Sequence, residues 1–153
     1  MIPQELAEAY LGALAAADVA AMRCLFSDGA LVHSPLYGLT LARDFFPRLF
    51  GDTAESRLTL RGVTQGVTAG GVSLVSIWFH FDWRLPSGRQ APFDVVDVLE
   101  LAPDDRIAAL RIVYDTAGIR PIAGQETGRL TWHEDRTAGH LPSHETPSYP
   151  VVG

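Results

Sequence analysis

The stretch Pro92–Leu101, reading PFDVVDVLEL, constrains this chain more than any other. Its content of β-branched residues marks a strand. Successive side chains of a strand point to opposite faces, so Phe93, Val95, Asp97, Leu99 and Leu101 share one face. That face is apolar except for Asp97. A carboxyl group on a buried apolar face must be paired, hydrogen-bonded or kept protonated. Two readings of Asp97 follow. It is either a structural carboxyl, bonded to Tyr10 or to backbone, or an acid/base group of the kind that concentrates at active sites.

Around this strand the chain divides into helices first and strands afterwards. Residues 3–17 form a helix, with Pro3 in its first turn and Leu6, Tyr10, Ala13 and Leu14 on one stripe. Tyr10 therefore faces inward, and its hydroxyl needs a partner. Asp18 is a good N-cap for a second helix running to about Phe26, with Val19, Met22 and Phe26 inward. Ala30–Ser34 reads as a short strand closed by Pro35. Gly38 to about Phe50 reads as a third helix, carrying Phe45, Phe46, Leu49 and Phe50 and kinked by Pro47. Four strands follow, roughly over 57–66, 71–84, 89–101 and 106–115. Pro86-Ser87-Gly88 and Pro103-Asp104-Asp105 make hairpins between them. This order predicts an α+β domain, with three N-terminal helices packed against a curved, mostly antiparallel sheet. Beyond Pro121 the chain is rich in Gly, Pro, Thr and His. We read 1–121 as the domain and 122–153 as a C-terminal extension with little regular structure.

Composition narrows the function classes. At 153 residues with 47% hydrophobic and 20% charged residues, the chain is one globular domain with room for a core. Acidic residues outnumber basic ones, 18 to 12, and the basic ones form no patch, which argues against a nucleic-acid partner. No apolar run is long enough to span a membrane, and the N-terminus lacks the pattern of a signal peptide. The lone cysteine, Cys24, fits a reducing, cytoplasmic setting, and its place beside Met22 and Leu25 suggests a core position. In the tail, His133-Glu134-Asp135 and the pair His140 and His144 supply no third metal ligand at a usable spacing, so no metal is expected. Gly66–Gly71 joins two strands and is no phosphate loop.

Two segments carry a family resemblance. The first is Tyr10-Leu11-Gly12-Ala13-Leu14 leading to Ala17-Asp18 and Leu25-Phe26-Ser27-Asp28-Gly29-Ala30. The second is Val96–Leu101, then Asp105-Arg106-Ile107 and Leu110–Asp115. Over about residues 4–121 the chain resembles NTF2-like, SnoaL-like proteins. The resemblance implies a cone of helices over a curved sheet, enclosing a deep apolar pocket, in a homodimer. That family includes ketosteroid isomerases, polyketide cyclases, limonene epoxide hydrolases and dehydratases, and also modules with no catalysis. Tyr10 matches the isomerase's oxyanion-hole tyrosine, and Asp97 matches its protonated aspartic acid. Ser34 stands where the isomerase keeps its catalytic aspartate, which argues against steroid-type isomerisation. Val95 and Ile112 stand where the epoxide hydrolases need an arginine and a second aspartate.

The candidate catalytic residues are therefore Asp97, Tyr10, His33 and His80. His33 adjoins Ser34 and could replace the missing base, although strict alternation sends it outward if Val32 is inward. His80 faces a dimer interface or solvent if Ile77, Phe79 and Phe81 line the pocket. The opposite register would make His80 and Asp82 an in-pocket pair. Ser34, Phe46, Phe50, Phe79, Val95, Leu110 and Tyr114 are expected to bind substrate, and Trp78 and Trp83 to be core or pocket wall. The leading expectation is a cofactor-independent cyclase, isomerase or dehydratase acting on an apolar, polyketide-like or polycyclic carbonyl compound. The alternative is a non-catalytic ligand-binding or dimerisation module.

Overall fold

A computed structural model of the protein describes residues 1–127. Helix α1 (Pro3–Ala15) starts with Pro3 in its first turn, and Glu5 accepts a hydrogen bond from the amide of Ile2 at 3.2 Å. Its stripe of Leu6, Tyr10, Ala13 and Leu14 is buried. Helix α2 (Val19–Leu25) is capped by Asp18, whose side chain accepts from the amide of Ala21 at 3.0 Å. Met22 is the buried residue of this short helix, and Cys24 is exposed rather than in the core. Two residues on from Met22, a helix has turned to its opposite side.

Six strands form one mixed sheet: β1 (Phe26–Ser34), β2 (Gly38–Leu41), β3 (Glu55–Val67), β4 (Ser73–Arg84), β5 (Gln90–Leu101) and β6 (Ile107–Val113). Their order is β2-β1-β6-β5-β4-β3. All neighbours run antiparallel except β1 and β6, which are parallel. The expected fully N-terminal set of three helices needs two corrections.

The first concerns Gly38–Leu41, which is strand β2 rather than the start of the third helix. The Ser34 hydroxyl accepts from the amides of Leu36 and Tyr37 at 3.2 and 3.0 Å, which tightens a turn. Gly38 completes the turn at φ 79°, a conformation glycine adopts at little cost, and pairs back with Ser34. Helix α3 therefore begins at Ala42 and runs to Gly51, with Pro47 inside it.

The second is a fourth helix, α4 (Arg120–Thr127), crossing the boundary expected at 121. Pro121 lies in its first turn, where a missing amide proton costs nothing, so it opens this helix. Ile119 and Ala123, four residues apart, bury against the main core. The tail histidines lie outside the described residues.

Candidate active site

The inner face of the sheet is set by alternation. On β4, Ile77, Phe79, Phe81 and Trp83 are buried, and on β5 Ala91, Val95, Asp97 and Leu99. Asp97 pairs with Ile77 on one side and Ile112 on the other, so it stands between two aliphatic residues in the middle of the sheet. It is 3% exposed. Tyr10 on α1 reaches down onto it, and its hydroxyl donates to Asp97 Oδ2 at 2.7 Å. The other carboxyl oxygen, Oδ1, is buried with no hydrogen-bond partner.

Electrostatics follow from this placement. Burial disfavours the charged carboxylate and pushes Asp97 from 3.8 up to about 7, with the Tyr10 hydrogen bond pulling the other way. Burial first, and then the neighbouring Asp97, push the Tyr10 hydroxyl well above its ordinary value, so it stays protonated. Tyr114 is likewise raised by burial, against the pull of Arg120. A carboxyl poised near neutrality can act as acid or base at physiological pH.

Asp97 and Tyr10 lie on the wall of a cavity of about 50 Å³, which Ser34, Phe46, Phe79, Val95 and Tyr114 also line. Five of the seven expected binding residues meet there. Leu110 is fully buried in the core, and Phe50 packs tilted against Phe46 at 6.0 Å between ring centres; neither reaches the cavity wall. The sequence reading missed Tyr37, Phe45, Phe93 and Ile112 as lining residues. For Phe93 the signal was there, since it shares the Asp97 face; its ring stacks on Tyr114 at 4.3 Å.

The two candidate histidines stand elsewhere. On β1, Val32 and Ser34 are buried and His33 lies on the opposite face, registered beside Arg111. Burial, with Arg111 adding to it, lowers the pKa of His33. On β4, His80 falls on the outer face with Trp78, and its Nδ1 lies 2.8 Å from Asp94 Oδ1. The in-pocket register for His80 and Asp82 is not formed, because Phe79 and Phe81 take the inner positions. Trp78 is likewise not core but 49% exposed, with the Arg61 guanidinium 5.9 Å above its ring. Among the described residues no group of His, Cys, Asp and Glu could hold a metal ion.

The model of a family described as the SnoaL-like domain matches residues 7–110, well over half of the chain. The chain belongs to the SnoaL-like family. Among solved structures, this SnoaL-like chain resembles SalBIII, described as an epoxide hydrolase/cyclase-like enzyme in pyran ring formation. The identity is 19%, over 76% of this chain and 92% of that one, with a TM-score of 0.61. A second neighbour is a polyketide cyclase homologue from Pseudomonas putida, at 16% identity over 77% and 95% of the two chains, TM-score 0.56. A third, from Catenulispora acidiphila, has a ketosteroid isomerase-like fold and was crystallised with trimethylamine. Its identity is 12% over 80% and 95%, with a TM-score of 0.63. At these identities the likeness carries the SnoaL-like fold, not a reaction. No curated protein sequence matches the chain.

Proposed function

We propose that the protein is a cofactor-independent cyclase, isomerase or dehydratase acting on an apolar, polyketide-like or polycyclic carbonyl compound. The observation that carries this reading is the unpartnered Oδ1 of Asp97, buried on the wall of an aromatic-lined cavity. Leaving a buried acceptor unsatisfied costs about 1–3 kcal/mol. A ligand that supplies the missing partner recovers that cost.

Protonated on Oδ1, Asp97 donates to a substrate carbonyl as negative charge develops there. The carboxylate left behind keeps the Tyr10 hydrogen bond on Oδ2 and then accepts a proton from carbon or oxygen elsewhere on the substrate. Tyr10 spends its only proton on Asp97, so in this geometry it acts through Asp97 rather than on the substrate directly. The remaining rate comes from holding a flexible substrate in a reactive conformation between Phe79, Val95 and Tyr114. No role falls to His33 or His80 in this scheme. The scheme has the protein working as a cytoplasmic homodimer. The outer sheet face would be the seam, because Trp78 and Val113 expose large apolar surface there, at 49% and 58%.

A specific observation favours the second reading, a non-catalytic module. Ligand pockets usually span about 300–1,000 Å³, and this cavity holds about 50 Å³. Thermal stability of wild type and Asp97→Asn, with and without a panel of polycyclic ketones, separates the two. The enzyme reading expects ligands to raise the melting temperature and Asp97→Asn to alter that response while the apo protein stays folded. An apo variant that collapses, with no ligand shifting either form, leaves Asp97 structural and sinks the enzyme reading.

A further inference from the structure

The Asp97 cavity has a larger neighbour. A groove of about 260 Å³ lies between α2, the first half of β1 and the start of α3. Met22, Phe26, Ala30, Ala42 and Phe46 are its buried apolar residues, and Arg23 and Arg43 stand exposed at its edge. Among the described residues neither guanidinium makes an ion pair, and the single carboxylate lining the groove, Asp28, is unpaired too. The groove thus joins an aromatic floor to a net positive rim.

One residue, Phe46, lines both the groove and the Asp97 cavity. Its ring is the partition. It packs on Phe26 at 5.2 Å on the groove side and on Phe45 at 5.0 Å. Pro47, the next residue, has no amide proton, so the carbonyl of Arg43 lacks its helical partner. Across the groove, β1 slips register between Phe26 and Leu31, with Gly29 at φ 75°.

We infer that the groove is the outer half of the ligand site, and that it takes a planar aromatic monocarboxylate. The ring system lies on Phe26 and Phe46, the carboxylate sits between Arg23 and Arg43, and a turn of the Phe46 ring lets the far end reach Asp97. Joined, the two spaces reach the lower end of the range of small-molecule pockets. A ligand with a carboxylate at one end and a carbonyl at the other satisfies both. This assignment rests on the reading of Asp97 as a ligand-facing group.

Isothermal titration calorimetry with two probes tests it: 6-acetyl-2-naphthoate, which carries both groups, and 2-acetonaphthone, which lacks the carboxylate. The naphthoate should bind wild type about tenfold tighter than the neutral ketone, as two charge-assisted contacts at an exposed rim allow. The Arg23→Gln/Arg43→Gln double variant should erase that advantage and leave the ketone unchanged. Phe46→Leu, which keeps the position apolar but removes the ring, should change the affinity of both probes severalfold. Wild type binding neither probe overturns the assignment. So does a double variant that keeps the preference, or a Phe46→Leu variant matching wild type. Asp97→Asn separates this inference from the one beneath it. If that variant binds both probes as wild type does while the arginine and Phe46 responses hold, the groove stands and the reading of Asp97 falls.

Discussion

Asp97 makes the protein's stability depend on pH in an unusual direction. Its folded pKa, about 7, lies above the ordinary 3.8, so between those values the native state holds a proton that the unfolded chain has released. The free energy of unfolding therefore falls as pH rises through this window, and stays low above it, where the carboxylate is ionised in both states. A displacement from 3.8 to about 7 is on the order of 4 kcal/mol at full extent. Asp97→Asn removes this dependence: urea titrations from pH 4 to pH 8 should show the variant gaining on wild type as pH rises. Tyr10→Phe acts oppositely. It deletes the hydrogen bond that lowers the Asp97 pKa, so the pH window extends upward, and it costs about 1–3 kcal/mol above neutrality. Both residues were legible in the sequence because each sits on a clean local period, two for the strand and 3.6 for the helix. The orphaned Oδ1 was not legible, since it depends on what lies across the cavity.

At the scale of elements, the errors share a cause. Gly38–Leu41 leads without a break into Ala42–Gly51, so its sequence alone continues that helix; the turn that makes it a strand depends on the Ser34 hydroxyl and a left-handed Gly38. Gly38→Ala forces a Cβ into that conformation and should cost about 1–2 kcal/mol, read as a lower urea midpoint at unchanged slope. Helix α4 is hidden in the sequence because composition turns to Gly, Pro, Thr and His beyond Pro121. The position of Pro121 within the first turn, and the burial of Ile119 and Ala123, are properties of the folded chain. His80 shows the same limit: both registers of β4 were open in the sequence, and cross-strand pairing with β5 decides between them.

At the scale of the whole molecule, the two faces of the sheet differ in what they need. The inner face is covered by helices and closes on Asp97; the outer face leaves Trp78 and Val113 in solvent. If that face is the dimer seam, Trp78→Glu should convert a sedimenting dimer to a folded monomer, with unchanged secondary structure by circular dichroism. A wild type that sediments as a monomer at micromolar concentration removes the dimer from the proposal. The parallel pairing of β1 with β6 has a consequence of another kind. Strands β3 to β6 are joined in sequence and can zip together as they are made. The first strand cannot join them until the last has left the ribosome, and it is a long-range contact of the sort that slows folding. A nascent chain halted before Ile107 would hold Tyr10 and Asp97 without the strand that links β1 to β5, so the chamber closes only once β6 has been made.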